Sequence, residues 1–494
     1  MRFGSIMPFI EALTVCLFLT PLVRWMGIRL GIVDQPDEYR KFHSGAIPRC
    51  GGLAIYISFL VPIFVFFFLF KKESHLPSAD HYRVWIIVIG SGIAMLMGLA
   101  DDIWSIRVRW KILFQIIAAT VAYSGNLRIE SLTNPFGSPI ELGFFSFPAT
   151  VIWFFLCMNA INIFDGLDGL AAGVSLFVTL TLLGVSLAFG NDTGVFVSAC
   201  LSGAILGFLV YNFNPATIFM GDSGSMFIGF GIAALGLVSS YKAEAATALL
   251  IPCLALLLPF FDLFSAALRR WSNYLPMTMP DGKHLHHVMM SKGLSARRTV
   301  VYLYIVCLIL CSAALMTVFS RDIETALLVS CIGIIFLVGN NFLKVVDIRE
   351  VKKRIFHDRQ LHQWNKKNAI HLSNLVDNVK ESDLLEDSWE LCKPIFIALK
   401  LMKVDLNLKL KGEQKTYSWK SDISEGHPRN EDGGWEWSID CPIDTRSKTD
   451  SSNLIITGNN NGNELRSIIP IIHNLTIALA EKMQPPNSKG ASPF

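Results

Sequence analysis

Long apolar runs separated by short polar stretches dominate the chain from residue 5 to residue 343. Each run is about 20 residues, the length at which a helix crosses the hydrocarbon core of a bilayer. A backbone in lipid must satisfy its own hydrogen bonds, so such runs predict helices. The pattern predicts eleven spans, roughly 5–25, 51–70, 84–100, 110–124, 146–163, 171–189, 194–212, 223–240, 245–268, 300–319 and 323–343. The fourth is short and opens on polar residues. Past about 345 the pattern changes to helical stretches, a Trp-bearing strand-like region around 405–442, a strand LIIT at 454–457, a turn GNNNGN and a closing helix ELRSIIPIIHNLTIALAEKM. The expected architecture is an all-α polytopic membrane domain over residues 1–345, then a small soluble α/β domain over 346–494. That second part opens on VDIREVKKRIF, a basic juxtamembrane helix suited to anionic lipid.

Composition agrees with the pattern: 52% of the 494 residues are hydrophobic and only 17% charged, with mean hydropathy +0.45. A soluble chain would carry more charge. A net charge of +3 gives no argument for a nucleic-acid partner. The ten cysteines lie mostly in apolar runs and form no CxxC pair, so they read as small buried hydrophobes with neither a disulfide frame nor a zinc site. Arg2 precedes an apolar run without a small-residue cleavage site, which predicts a retained first span. Loop charge sets orientation. Loops after odd-numbered spans, with the first residues of the tail, hold 19 Lys and Arg against 7 on the other side. This places the N-terminus outside and the C-terminus inside.

Five polar groups then stand out at span ends. GLADDIWSIRVRWK carries Asp101 and Asp102; NAINIFDGLDGLAAG carries Asn159, Asn162, Asp165 and Asp168; FMGDSGS carries Asp222; PFFDLFSAALRR carries Asp262; and PDGKHLHHVMMSKG carries His284, His286 and His287. All five fall on the cytoplasmic side of the charge count. The three-residue steps from 159 to 168 predict one row along a helix face, and GDSGS predicts a glycine turn entering a helix whose free N–H groups suit an anion. Carboxylates near a membrane midplane are costly and usually line a polar cavity. An acidic cluster fringed by Arg and His suits Mg²⁺ with phosphates in its shell, and phosphoryl transfer needs chiefly positioning and charge neutralisation. Each group also has a plain structural use: a solvated helix end, interhelical hydrogen bonding for the Asn/Asp row, a cap for Asp222, a salt bridge from Asp262 to Arg269. The histidines could hold zinc, although Arg297 and Arg298 beside them suit phosphate better.

GLADDIWSIRVRWKILFQ, NAINIFDGLDGLAAG, FMGDSGSMFIGF and PDGKHLHHVMMSKGLSARRTV resemble, in order and spacing, the motifs of the polyprenyl-phosphate N-acetylhexosamine-1-phosphate transferases, and RKFHSGAIPRCGG at 40–52 resembles that family's first cytoplasmic loop. The resemblance covers about 1–345. HLHH followed by GLSARR, and NAINIFDGLDGLA, look like the N-acetylglucosamine-1-phosphate branch. The branch that transfers phospho-N-acetylmuramoyl-pentapeptide typically has three consecutive histidines. The resemblance implies a Mg²⁺-dependent enzyme of the bacterial inner membrane, with Mn²⁺ able to substitute. It would move a sugar phosphate from a UDP-N-acetylhexosamine to undecaprenyl phosphate, starting a surface polysaccharide. By motif match, Asp222 and Asn162 would hold the metal, Asp101 would take a proton from the lipid phosphate with Asp102 in support, and Asp165 and Asp168 would line the nucleoside site. Asp262, the three histidines and Arg297 would serve substrate binding. A homodimer, and a ligand or protein partner for a regulatory tail, complete the expectations. A transporter is the reading from a different class, but the chain shows no inverted repeat with paired broken helices.

Overall fold

The computed structural model describes residues 6–34, 46–69, 78–132, 140–239, 250–273, 283–318, 351–352, 354–356, 378–379, 385–398, 403–410, 413–420, 436–443 and 452–459. The chain divides into two compact units, one of residues 1–271 with 275–347, the other of 348–494 with 272–274.

The first unit is helical. In order it holds α1 (Ile6–Leu30), α2 (Gly51–Leu69), α3 (Ser78–Trp104), α4 (Val108–Ser124), α5 (Ser146–Phe164), α6 (Leu170–Ala188), α7 (Asp192–Asn212), α8 (Gly221–Ser239), α9 (Leu250–Ala255), α10 (Leu257–Ser272), α11 (Leu285–Ser291) and α12 (Ala296–Met316). Two short antiparallel ribbons, β1 (Val33–Asp34) with β2 (Ile47–Pro48) and β3 (Ser131–Leu132) with β4 (Ile140–Glu141), close the loops after α1 and α4. Among the described residues, eight helices are long and apolar enough to cross a membrane: α1, α2, α3, α5, α6, α7, α8 and α12. The chain is therefore a multi-pass membrane protein. The expected fourth span is the 17-residue helix α4, shorter than the others. The expected ninth is divided at Leu256 into α9 and α10. The expected eleventh lies outside the described residues, as do the Arg40–Gly45 part of the first loop and the closing helix of the tail.

Helix α8 is the axis of the unit. Almost every residue from Gly221 to Ser239 is buried. It packs most heavily on α3 and α5, with α2 beside it. Small residues allow this closeness, the usual basis of helix association in lipid. A side chain at Gly98 of α3 would run into the backbone carbonyl of Asp222. One at Gly229 of α8 would sit 2.5 Å from the Met158 backbone of α5. The large apolar plugs Phe59, Phe154, Phe227 and Phe230 fill what remains.

The described residues of the second unit include the helix α13 (Leu385–Ala398) and a four-stranded antiparallel sheet of β5 (Lys403–Leu410), β6 (Glu413–Lys420), β7 (Glu436–Ile443) and β8 (Ser452–Asn459), in spatial order β6-β5-β8-β7. The strand expected at LIIT lies in β8. Strand alternation puts Val404, Leu406, Leu454 and Ile456 on one buried face. Trp389 and Phe396 of α13 meet Tyr417 and Trp419 of β6, at 5.8 and 5.4 Å between ring centroids.

Candidate active site

Three helix ends and the start of α4 bring the carboxylates together. Helix α3 ends just after Asp101 and Asp102. The chain turns at Ser105, whose φ of 51° lies in the left-handed region, and restarts as α4. That turn brings the Ile106 N–H back onto Asp101 Oδ1 at 2.7 Å. Asp102 points the other way. Its two oxygens accept the backbone N–H groups of Asp222 (2.9 Å) and Ser223 (3.0 Å). It thus caps α8 from another helix and places a negative charge at that helix's positive end. The cap reading once open for Asp222 therefore belongs to Asp102. Gly221, at φ 71°, gives the left-handed turn into α8, where a side chain would strike the Arg49 carbonyl.

Asp222 is held on both oxygens. Oδ1 accepts from Asn162 Nδ2 at 2.9 Å, and Oδ2 from Lys111 Nζ at 3.1 Å. Lys111 also pairs with Asp101 Oδ2. One ammonium therefore bridges two carboxylates from α3 and α8. Asn162 donates to Ser225 Oγ as well, at 2.9 Å. Its amide nitrogen faces the carboxylate, so Asn162 orients Asp222 in this arrangement. One turn up α4, Gln115 accepts from Asn159 at 3.2 Å and donates to the Met226 sulfur at 3.3 Å. These contacts lock α4 against α5 and α8.

The row of four does not stay on one helix. Helix α5 ends at Phe164, Asp165 caps it with φ −80° and ψ 53°, and Gly169 turns left-handed (φ 77°) into α6. Only Asn159 and Asn162 share the helix face. The expectation of a continuous row is corrected, since Gly166 and Gly169 break the helix there. Asp165 stays at the cluster. Burial, then the charges of Asp222 and Asp102, push its carboxyl up to about 7, against the pull of Arg49. Asp168 leaves the cluster. Its Oδ2 accepts from Asn214 Nδ2 and the Ala216 N–H, both at 3.0 Å, and so fastens the turn after α7. Tyr304 of α12 closes the same region, donating to the Gly169 carbonyl at 2.5 Å.

The histidine loop is built on Asp262. This α10 carboxylate is fully buried; it faces His284 Nδ1 at 3.0 Å and accepts the Leu285 N–H at 2.9 Å. It anchors the loop, so the expectation that Asp262 itself binds substrate is revised to one of support. His284 and His286 have nearly parallel rings 5.9 Å apart, and His287 lies 4.2 Å from His286. His286 is 1% exposed, and neither ring nitrogen has a hydrogen-bond partner among the described residues. Burial, then neighbouring His287, push its ring down to about 3. It stacks on the turn after α5: a side chain at Gly166 would lie 2.5 Å from its Cε1. The histidine loop therefore meets the Asp165 turn. Arg297 is exposed in the first turn of α12 and makes no ion pair among the described residues. No group of three His, Cys, Asp or Glu among the described residues is arranged to hold a metal alone.

A relative from Bacillus subtilis strain 168, the probable undecaprenyl-phosphate N-acetylglucosaminyl 1-phosphate transferase, is 36% identical over 335 residues, which are 67% of this chain and 90% of the relative. The chain belongs to glycosyl transferase family 4. That family's model matches residues 84–240, a stretch that contains Asp101, Asp102, Lys111, Asn162, Asp165, Asp168 and Asp222. Other family members alike to it are the decaprenyl-phosphate N-acetylglucosaminephosphotransferase of Mycolicibacterium smegmatis, 32% identical over 67% of this chain and 86% of its own length, and the undecaprenyl-phosphate alpha-N-acetylglucosaminyl 1-phosphate transferase of Escherichia coli K12, 28% identical over 71% and 96%. The resemblance read from the motifs is borne out. Sequence reasoning missed Lys111, Gln115 and Ser225 as contacts of the carboxylate cluster. Lys111 had counted only as a cytoplasmic loop charge, although it stands ten residues after Asp101 in the same motif.

Proposed function

We propose that the chain transfers N-acetylglucosamine-1-phosphate from UDP-N-acetylglucosamine to undecaprenyl phosphate at the cytoplasmic face of a bacterial inner membrane, releasing UMP. The single observation that carries this is the bridged pair Asp101–Lys111–Asp222 at converging helix ends, in a chain whose relatives bear that activity in their names. The excess of Lys and Arg in the odd loops supports the orientation, with eleven spans and the tail inside. On this reading the second unit is a cytoplasmic appendage with a regulatory role.

The residues fit a divalent cation. Carboxylate oxygens of Asp101 and Asp222 converge on a point where a cation, the Lys111 ammonium, sits. Mg²⁺ asks for one or two carboxylates and completes its shell with water and substrate phosphate. Asp222 and Asp101 would hold Mg²⁺, or Mn²⁺ in its place, which would neutralise the donor diphosphate. Asn162 keeps the Asp222 carboxylate in one rotamer. Asp102 fixes the first turn of α8. Asp101 would accept the proton of a lipid phosphate that arrives protonated. A lipid phosphate oxygen then attacks the sugar-linked phosphorus, and the bond to the UMP oxygen breaks. Asp165, at the turn after α5, would line the nucleotide site. The histidine loop, seated on the Asp165 turn through His286, would offer hydrogen bonds to the substrate from that side. Positioning and preorganised charge supply most of such a reaction.

The test is UMP release by the full chain in detergent with undecaprenyl phosphate and Mg²⁺. Turnover of UDP-N-acetylglucosamine but not of UDP-N-acetylmuramoyl-pentapeptide is expected. Turnover of the pentapeptide donor alone would reverse the choice of branch, and turnover of neither would remove the proposal.

A further inference from the structure

Each carboxylate of the bridged pair has one oxygen committed elsewhere and the other turned to Lys111. Asp101 Oδ1 is taken by the Ile106 N–H at 2.7 Å, and Asp222 Oδ1 by the Asn162 amide at 2.9 Å. The backbone turn and the amide aim both remaining Oδ2 atoms at one point. Lys111 Nζ fills that point. The Gln115 contacts one turn away hold the helix that delivers it. The lysine side chain is 25% exposed, so its long stem can swing the ammonium off the two carboxylates without unpacking a buried core.

We infer that Lys111 is a resident counter-cation that occupies the metal position between Asp101 and Asp222 and must leave it when a divalent metal binds. This rests on the metal-dependent reading above. The two cations cannot share the point. Like charges within about 4–6 Å repel strongly, and two carboxylates already neutralised by one ammonium offer a metal only part of their charge. Lys111 therefore weakens metal binding to the empty enzyme. A donor diphosphate that attracts the displaced ammonium relieves the competition, so metal and donor bind more tightly together than apart. The same ammonium keeps the two carboxylates from repelling each other while no metal is bound.

The test measures Mn²⁺ binding by electron paramagnetic resonance on the full chain in detergent, as wild type, Lys111→Met and Lys111→Arg. Lys111→Met should bind Mn²⁺ about tenfold more tightly or better, the effect of removing one close like charge, and Lys111→Arg should stay near wild type. Equal binding by wild type and Lys111→Met, or weaker binding by Lys111→Met, would overturn the exchange while leaving a metal enzyme intact. Failure of all three to bind Mn²⁺, with or without UDP, would overturn the exchange and the metal reading together. A second measurement needs no variant. Acetic anhydride labelling of Lys111 in the wild type, read by peptide mass spectrometry, should rise several-fold on saturation with Mn²⁺ as the ammonium leaves its carboxylates. Unchanged or reduced labelling in the presence of bound Mn²⁺ would also overturn the inference.

Discussion

The carboxylate cluster and the histidine loop are both polar islands at helix ends, and they are held together by opposite means. In the first, charges of both signs are cross-tied: Asp101 and Asp222 share Lys111, and Asp102 caps α8. In the second, a single buried carboxylate, Asp262, anchors a loop whose central ring, His286, is neutral and without a partner among the described residues. The first arrangement stores charge where an ionic substrate would meet it. The second stores shape, pressed on the Asp165 turn. One region should therefore fail chemically when altered and the other structurally.

The largest expected effect is on the first. Asp222→Asn keeps the size of the side chain and the fold, and should lower turnover by roughly 10³-fold, the scale of losing one preorganised charge contact. Steady-state UMP release with a melting curve on the same sample checks it, and near-full activity would take Asp222 out of the chemistry. Next comes Asp102→Ala. Losing the cap should cost about 1–2 kcal/mol of stability, and the displaced first turn of α8 should lower turnover by up to ~10²-fold. If stability falls while turnover holds, Asp102 serves only the fold. Asp262→Ala should cost more stability than turnover per folded molecule, because it strips a buried N–H of its acceptor, a loss of about 1–3 kcal/mol. Thermal melting against activity per folded fraction separates the two.

The smallest and sharpest test is in pH. His286 takes a proton in the unfolded chain below its ordinary value of 6.5 but resists it in the fold down to about 3. The unfolded state binds the extra proton, so this residue makes stability fall as pH drops from 6.5 towards 3. Asp165 acts in the reverse sense. Its folded value of about 7 exceeds the ordinary 3.8. The folded state holds the extra proton, and its contribution is lost as pH rises from about 4 to 7. Each slope is on the order of 1 kcal/mol per pH unit. Measured relative to the wild type freed of divalent metal, between pH 4 and 6.5, His286→Gln should tilt stability towards falling with rising pH, and Asp165→Asn should tilt it towards rising. Melting temperatures of the three proteins across that window decide it. Parallel profiles would mean that neither group titrates as its surroundings dictate.

Much of this was readable in advance, and the failures share one cause. Eight of the expected spans were legible because bilayer thickness writes itself into run length, whatever the packing. The acidic groups were legible because carboxylates are rare in such runs. What the sequence hid was direction. NxxNxxDxxD keeps its step of three through residue 168, yet the helix stops at Phe164, and only Gly166 and Gly169 betray the break. Asp101 and Asp102 are neighbours with opposite tasks, because the backbone that Asp102 caps lies 120 residues further on. Lys111 looked like one loop charge among 19 because pairing across α3, α4 and α8 leaves no local trace.

That long-range cap also sets a timetable. A ribosome delivers the chain from the N-terminus, segment after segment. When α3, α4 and α5 have been made, Asp102 still lacks the N–H groups of Asp222 and Ser223, and Lys111 has only half of its pair. The carboxylate cluster is completed in one event, the arrival of α8, and a nascent chain halted before residue 221 holds most of the acidic motifs without the cross-ties that join them.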